Sequence, residues 1–398
     1  MDFFEELKKR GLIYQVTPEI EEFFKRKGIL YLGIDPTSDS LHLGHYLGLS
    51  LLKRFYLNGF RIIIILGGGT AKIGDPSGKV KERPILPFEV LEKNKKSLKK
   101  QIKKFIPIDG KKVKLIDNSL WLDSLKLMEF LRDVGKVISI NSMLDLETVR
   151  QRLSSGESMS FAEFTYQLLQ AYDFYILFKK YNCELQIGGS DQWGNIVQGI
   201  ELIRKKTGKK AYGLVYPLLI DPKTGRKFGK TEEGETLWLD PKKLHPFRIY
   251  QFLINLDDEF SKNLLYYFSF KTLEKIEKII EEGEKKKEER IIQKTLAEEI
   301  VLNLYGKKIL EEVLKITKIL FEKNFEEIET QEIKFLKNAI PTIKLKEKFT
   351  LEEILVKLNL AKSKSEARNL IPNVKKLERG RYLLIKKGKK DFGLVEYE

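Results

Sequence analysis

The sequence predicts an α/β protein: a Rossmann-like parallel sheet, then an α-helical domain, then a small α+β domain at the carboxyl end. Three observations carry this. Strand, helix and strand follow one another within the first 66 residues, the opening unit of a nucleotide-binding sheet. From Lys242 the periodicity turns helical and the strand signal stops. The last fifty or so residues change again, to short capped helices, short strands and a basic composition. At 398 residues the chain exceeds one compact core and divides into two or three domains.

Thr17-Pro18-Glu19 reads as an N-cap and first turn, with Gly28 as the stop. Ile29–Ile34 reads as a strand, 42–57 as a helix and Arg61–Leu66 as a second strand. That second strand is continuously apolar, as a parallel strand covered on both faces should be. Later strands are expected at Val113–Asp117, 184–187 and 214–220. The boundaries expected from these signals are a first domain over 1–241, a helical domain over 242–328, a linker containing Pro341 over 329–345, and a terminal unit over 346–398. In that unit Thr350-Leu351-Glu352-Glu353 and Ser363-Lys364-Ser365-Glu366 are capping boxes, and strands are expected at 382–385 and 392–397.

Net charge is +16, with 73 Lys and Arg. The excess favours a polyanionic partner, nucleic acid before membrane. The sheer number of charges also fits a heat-adapted surface, because stretches such as 271–290 mix both signs. The terminal unit holds 14 Lys and Arg against 8 Asp and Glu, a basic footprint of +6. Ile62 to Leu66 is the longest apolar run, far too short to span a bilayer. The acidic start lacks an h-region, so a cytoplasmic protein without membrane contact is expected. One cysteine, Cys183, excludes an intrachain disulfide and a cysteine-built zinc site.

Two of three histidines, His42 and His45, lie at i, i+3 where a helix begins, after the turn-rich Asp35-Pro36-Thr37-Ser38. A helix start attracts anions, and two imidazoles there suit a polyphosphate, with Gly44 letting a ligand approach the backbone. A metal site would need a third ligand, and the remaining histidine is His245. Taken alone, the tetrapeptide also fits a surface helix start. Gly74-Asp75-Pro76-Ser77-Gly78-Lys79 misses the P-loop pattern by one residue, and Val80 replaces its Ser/Thr. Asp75, Lys79 and Arg83 are candidates for a ligand amine and phosphates, or an exposed turn. Ser160-Phe161-Ala162-Glu163 opens a helix on which Tyr166, Gln170 and Asp173 form one polar stripe among apolar residues. A carboxylate there is costly to bury unpaired, which suits a pocket wall. In Gln186 to Trp193 two glycines bring backbone to a ligand, and Asp191 suits a ribose hydroxyl. Lys227-Phe228-Gly229-Lys230-Thr231 reads as a cationic clamp or as an ordinary basic turn.

In order along the chain, these segments resemble the class I aminoacyl-tRNA synthetases in their bacterial tyrosyl form. His42-Leu43-Gly44-His45 is similar to the HIGH signature, and Lys227 to Thr231 to the KMSKS-type loop in its KFGKT version. Tyr31 to Thr37, Gly74 to Lys79, Gln170 to Asp173 and Gln186 to Trp193 resemble the same enzymes, over about residues 1–320. The tail resembles an αL-motif RNA-binding domain. Leu32 departs from the family, which often has a polar residue there, and Leu370 to Val374 lacks the usual Gly-Gly turn.

The resemblance implies a class I synthetase sheet with a helical dimer-interface insertion at about 118–160, and an anticodon-side helical domain. It implies L-tyrosine, ATP with Mg²⁺, tRNA(Tyr) and a second copy of the chain as partners, with no protein-bound metal. Tyr31 and Asp173 would bind the phenol hydroxyl, Asp75, Tyr166 and Gln170 the α-amino group, and Gln192 would lie near the carboxylate. Gly33, Asp35, Gly44, Gly189, Asp191 and Lys230 would bind ATP. Thr37, His42, His45, Lys79, Arg83, Lys227, Lys230 and Thr231 would stabilise the phosphates in the transition state. The rival readings are a tryptophanyl enzyme of the same class, and a non-catalytic RNA-binding or splicing protein on this fold.

Overall fold

The computed structural model describes residues 1–77, 84–222, 225, 227–229 and 234–398. It divides into two compact units, Met1–Asp240 with Asp257–Ile292, and Pro241–Leu256 with Gln293–Glu398.

The first unit is built on a six-stranded sheet of order β1-β6-β5-β2-β3-β4. Its strands are β1 Gln15–Val16, β2 Ile29–Ile34, β3 Arg61–Leu66, β4 Val113–Asp117, β5 Cys183–Gly189 and β6 Tyr212–Tyr216. All neighbours run parallel except the antiparallel edge strand β1. Five of the six β3 residues are buried, which matches its apolar run. β6 stops at Tyr216, short of the expected 220, because Pro217 has no N–H to extend the ladder. A first helix spans Phe3–Lys9, and the helix expected from Thr17 begins at Glu21 instead, because the Thr17 backbone and hydroxyl bond Gly213 at the sheet edge.

Four helices flank the sheet: α1 Leu43–Leu57, α2 Phe88–Phe105, α3 Phe161–Tyr181 and α4 Trp193–Thr207. The Ser160 hydroxyl caps α3 by accepting from Glu163 N at 3.1 Å, and left-handed Asn182 ends it. The Glu163 carboxylate turns aside to a buried ion pair with Arg152, at 3.1 Å.

α5 Asp258–Phe268 and α6 Leu273–Lys285 belong to this unit, so the helical stretch expected as one domain over 242–328 is shared between the two units. Packing explains the division. The Phe268 ring stacks on Tyr46 of α1 at 5.0 Å. Arg10, 2% exposed, donates to the carbonyls of Tyr266, Ser269 and Lys271 at 3.2, 3.0 and 2.6 Å. Arg54 of α1 donates to Tyr267 and Ser269. Both cations serve carbonyls that the end of α5 leaves over.

The second unit carries a four-stranded sheet of order β7-β10-β9-β8, from β7 Thr342–Leu345, β8 Val374–Arg379, β9 Tyr382–Lys387 and β10 Asp391–Tyr397. β7 pairs parallel with β10 and the other pairs are antiparallel. The stretch read as linker thus holds a helix, Thr330–Leu336, and a strand. Pro341 stands just before that strand, where a missing N–H costs nothing, and its carbonyl accepts from Leu394 N at 2.8 Å. α7 Leu351–Lys357 and α8 Lys364–Leu370 start at the two expected caps; Thr350 and Ser363 accept from the N3 amides at 3.4 and 3.1 Å, and Glu353 completes the first box by accepting from Thr350 N at 3.1 Å, whereas Glu366 accepts from Lys362 N at 2.7 Å. Among the described residues no helix is long and apolar enough to cross a membrane.

Candidate active site

Strand order reverses between β2 and β5, with β3 and β4 on one side and β6 on the other. A crevice opens beyond the carboxyl ends of parallel strands at such a point. A cavity of about 280 Å³ lies there, lined from Tyr31 and Asp173 at one end to His45 and Lys227 at the other.

The first end is deeply buried. Asp173 of α3 accepts from Asn118 Nδ2 at 2.8 Å and from Trp121 Nε1 at 2.6 Å. Both donors serve the ionised carboxylate, yet burial outweighs them and pushes its pKa up to about 7. Burial also raises the Tyr31 phenol, and the nearby Asp173 charge adds to it. The Tyr31 hydroxyl and Gln186 Oε1 are buried without a hydrogen-bond partner among the described residues. Tyr31 and Gln186 sit side by side on β2 and β5. Unpaired polar atoms inside a protein cost free energy unless something that enters the cavity satisfies them.

Two hydrogen-bonded chains run along the middle of the cavity. In one, Asp35 accepts from Thr70 Oγ1 at 2.9 Å and from the Tyr166 hydroxyl at 3.0 Å. Asn118 joins this chain to Asp173, because its Nδ2 also reaches Thr70 Oγ1 at 3.0 Å. In the other, Gln192 donates to Asp75 at 2.7 Å and accepts from Gln170 at 3.2 Å, while Asn195 ties Gln170 to Ser77 at 3.1 Å each. Tyr166 therefore faces Asp35, whereas Gln170 and Gln192 gather round Asp75. The acceptors outnumber fixed cations here, which favours a ligand ammonium.

The other end is assembled from the first turn of α1 and from loops. His42 and His45 pack ring to ring, with centroids 3.8 Å apart, and His45 Nδ1 accepts from His42 N at 3.2 Å. His45, Gly44, Thr37 and Gly33 line the cavity; His42 stands just behind. Gly44 and Gly229 explain how the two distant motifs meet. A Cβ on Gly229, whose φ is +104°, would lie 2.6 Å from Gly44 N. A Cβ on Gly44 would lie 3.0 Å from the Phe228 carbonyl oxygen. The backbone around Leu237 locks this contact, with Leu237 N bonding Gly229 O at 2.8 Å and Leu43 N bonding Leu237 O at 2.9 Å. Lys227 Nζ then reaches Asp191 at 3.2 Å beside Gly189. Lys79, Arg83, Lys230 and Thr231 lie outside the described residues. No group of three or more His, Cys, Asp or Glu is placed to hold a metal among the described residues.

Asn118, Trp121, Thr70, Gln186 and Asn195 bear on the cavity but received no role from the sequence. Asn118 had a readable signal, since it is a polar residue directly after the carboxyl end of a sheet strand. Trp121 had none.

A sequence model of the class I tRNA synthetases (W and Y) matches residues 25–322. The chain belongs to that family. Within it, a tyrosine–tRNA ligase of Roseiflexus castenholzii is 40% identical over 98% of both chains, and tyrosine–tRNA ligase 2 of Bacillus cereus strain ZK is 41% identical over the whole of both. A solved C-terminally truncated mitochondrial tyrosyl-tRNA synthetase of Aspergillus nidulans is 32% identical, with TM-score 0.71 over 80% of this chain and 94% of that one. A tryptophanyl-tRNA synthetase of Encephalitozoon cuniculi shares the fold at 16% identity, TM-score 0.55, over 83% of this chain and 89% of its own.

Proposed function

We propose that the chain is a tyrosine–tRNA ligase: it activates L-tyrosine with ATP and passes the tyrosyl group to tRNA(Tyr). One observation carries the choice of amino acid, the buried Tyr31 hydroxyl with no partner near the buried Asp173 carboxylate. A phenol hydroxyl between them donates to Asp173 and accepts from Tyr31; an indole or an unsubstituted ring leaves Tyr31 unsatisfied.

The tyrosine ammonium sits among Asp75, Gln170 and Tyr166, with its carboxylate toward Gln192. A carboxylate oxygen attacks the ATP α-phosphorus in line; the new P–O bond forms as the bond to pyrophosphate breaks. The terminal ribose hydroxyl of tRNA then attacks the activated carbonyl, and AMP leaves. The first step needs no protein base, because the nucleophile is already ionised. It rests on positioning and on charge stabilisation by Thr37, His42, His45 and Lys227, together with Lys79, Arg83, Lys230 and Thr231. Asp35, Gly33, Gly44, Gly189 and Asp191 hold the nucleoside and phosphates, and Mg²⁺ arrives with ATP.

A homodimer is supported by large apolar side chains exposed on one short stretch: Leu120, Leu127, Met128, Ile140, Leu153 and Phe161 are each more than half exposed. The basic terminal unit suits tRNA phosphates, and a cytoplasmic location fits the reaction. Amino-acid-dependent ATP–pyrophosphate exchange tests the reading. Exchange is expected with tyrosine and not with tryptophan or phenylalanine. Exchange with tryptophan instead would reassign the pocket, and none with any amino acid would leave an RNA-binding role.

A further inference from the structure

The outer face of α2 carries an unshared positive charge that the reaction above does not use. The helix has seven lysines and two glutamates. Lys93, Lys96, Lys99, Lys100, Lys103 and Lys104 are exposed, and among the described residues none of the six lies within ion-pair distance of a carboxylate. Lys95, which flanks them, is satisfied by Asp117 at 2.6 Å and by Glu92. At 100° per residue the six lie opposite the buried stripe of Leu91, Asn94, Leu98, Ile102 and Phe105.

An ordinary solvated helix face of this protein looks different. α6 mixes five glutamates with three lysines. On α2 the lysines stand one turn apart as like-charged neighbours, which repel. A row of cations about 16 Å long, from Lys93 to Lys104, complements a sugar–phosphate backbone. The inner face of the same helix holds the segment that leads to His42. Asn94 donates to Pro36 O at 3.0 Å, and Gln101 bonds both Leu41 N, at 3.0 Å, and Asp39 O, at 3.2 Å.

We propose that the outer face of α2 docks the sugar–phosphate backbone of the tRNA substrate, a contact separate from the basic terminal unit. It rests on the reading that tRNA(Tyr) is the substrate. The lysines give grip without sequence reading, and α2 places that grip in the same compact unit as the phosphate end of the cavity.

Binding of a tRNA(Tyr) transcript to the full chain is measured between about 50 and 200 mM salt for the parent, the triple variant Lys96→Gln/Lys100→Gln/Lys103→Gln, and the matching Lys→Arg variant. The glutamine variant is expected to bind at least tenfold more weakly at low salt, with a log–log slope shallower by roughly 2–3. The arginine variant should match the parent, and tyrosine-dependent exchange should stay unchanged in all three. Equal slopes for parent and glutamine variant would overturn the proposal, as would an arginine variant that fails alongside glutamine. Absence of exchange in the parent would count against the ligase reading alone, since the slopes are read without it.

Discussion

The two ends of the cavity are built in opposite ways. Around Asp173 every protein contact is made by a buried side chain on a strand, a helix or the end of one, and the partners hold one another. Around His45 and Lys227 the groups come from the first turn of α1 and from a loop, and two glycines set the closest approach. Choosing among amino acids requires a fixed polar shape that punishes the wrong side chain. Stabilising a pentavalent phosphorus requires cations that meet charge as it develops. A closed network of buried side chains serves the first task, and a close approach of two distant segments serves the second.

Substitution at each end should therefore fail differently. Asp173→Ala takes the acceptor from Asn118, Trp121 and the ligand phenol at about 1–3 kcal/mol each, so kcat/KM for tyrosine should fall by roughly a thousandfold or more; steady-state exchange that stays tyrosine-selective would break the contrast. His45→Ala and Lys227→Ala should each lower the rate of adenylate formation about 10²–10³-fold and leave tyrosine affinity nearly unchanged. Presteady-state kinetics with equilibrium dialysis separates the two, and a collapse of tyrosine binding would place these groups at the wrong end.

The third test uses protons. Asp173 has its folded pKa raised from 3.8 to about 7. Its contribution to stability is full below pH ~4, where both states are protonated. As pH rises the unfolded chain releases the proton first, so stability declines by up to about 1.4 kcal/mol per pH unit and levels off above about 7. Asp173→Asn removes that slope, so melting temperatures of parent and variant should diverge in the variant's favour from pH 4 to 7; parallel curves would mean the carboxyl is not buried as described. The smallest effect is expected for Thr70→Val, which breaks one bond to Asp35 and one from Asn118. At about 0.5–1.5 kcal/mol each, tyrosine binding should weaken a few- to a hundredfold with no change in the ATP dependence.

What the sequence disclosed follows the same divide. Local rules found β2, β3 and β4 to the residue, together with the three N-caps Ser160, Thr350 and Ser363, because an apolar run and a capping hydroxyl act within a few positions; the reciprocal glutamate bond of a full capping box forms at Thr350, whereas Glu163 and Glu366 bond elsewhere. The stripe of Tyr166, Gln170 and Asp173 was legible because i, i+4, i+7 is a helix face, and all three line the cavity. Tertiary packing hid the rest. Trp121 reaches Asp173 across 52 residues, and no window of sequence holds that contact. β8 was missed because Lys375, Lys376, Glu378 and Arg379 surround Leu377, its one buried residue. The assignment of Asp257–Ile292 to the first unit hangs on Arg10 and Arg54, two charges that read as surface residues until their carbonyl partners appear.

Arg10 also sets a schedule for synthesis. Its guanidinium is made in the first ten residues beside Glu6, its ion-pair partner at 2.7 Å, and its remaining partners are the carbonyls of Tyr266, Ser269 and Lys271. At about 5–20 residues per second the ribosome needs roughly 13–50 s to deliver them. Until then the amino-terminal segment carries a cation meant for burial and has nothing to bury it against, and α1 waits likewise for the partner of Arg54. Nascent chains that stop short of Lys271 should stay open to protease at the amino end, and those that pass it should close.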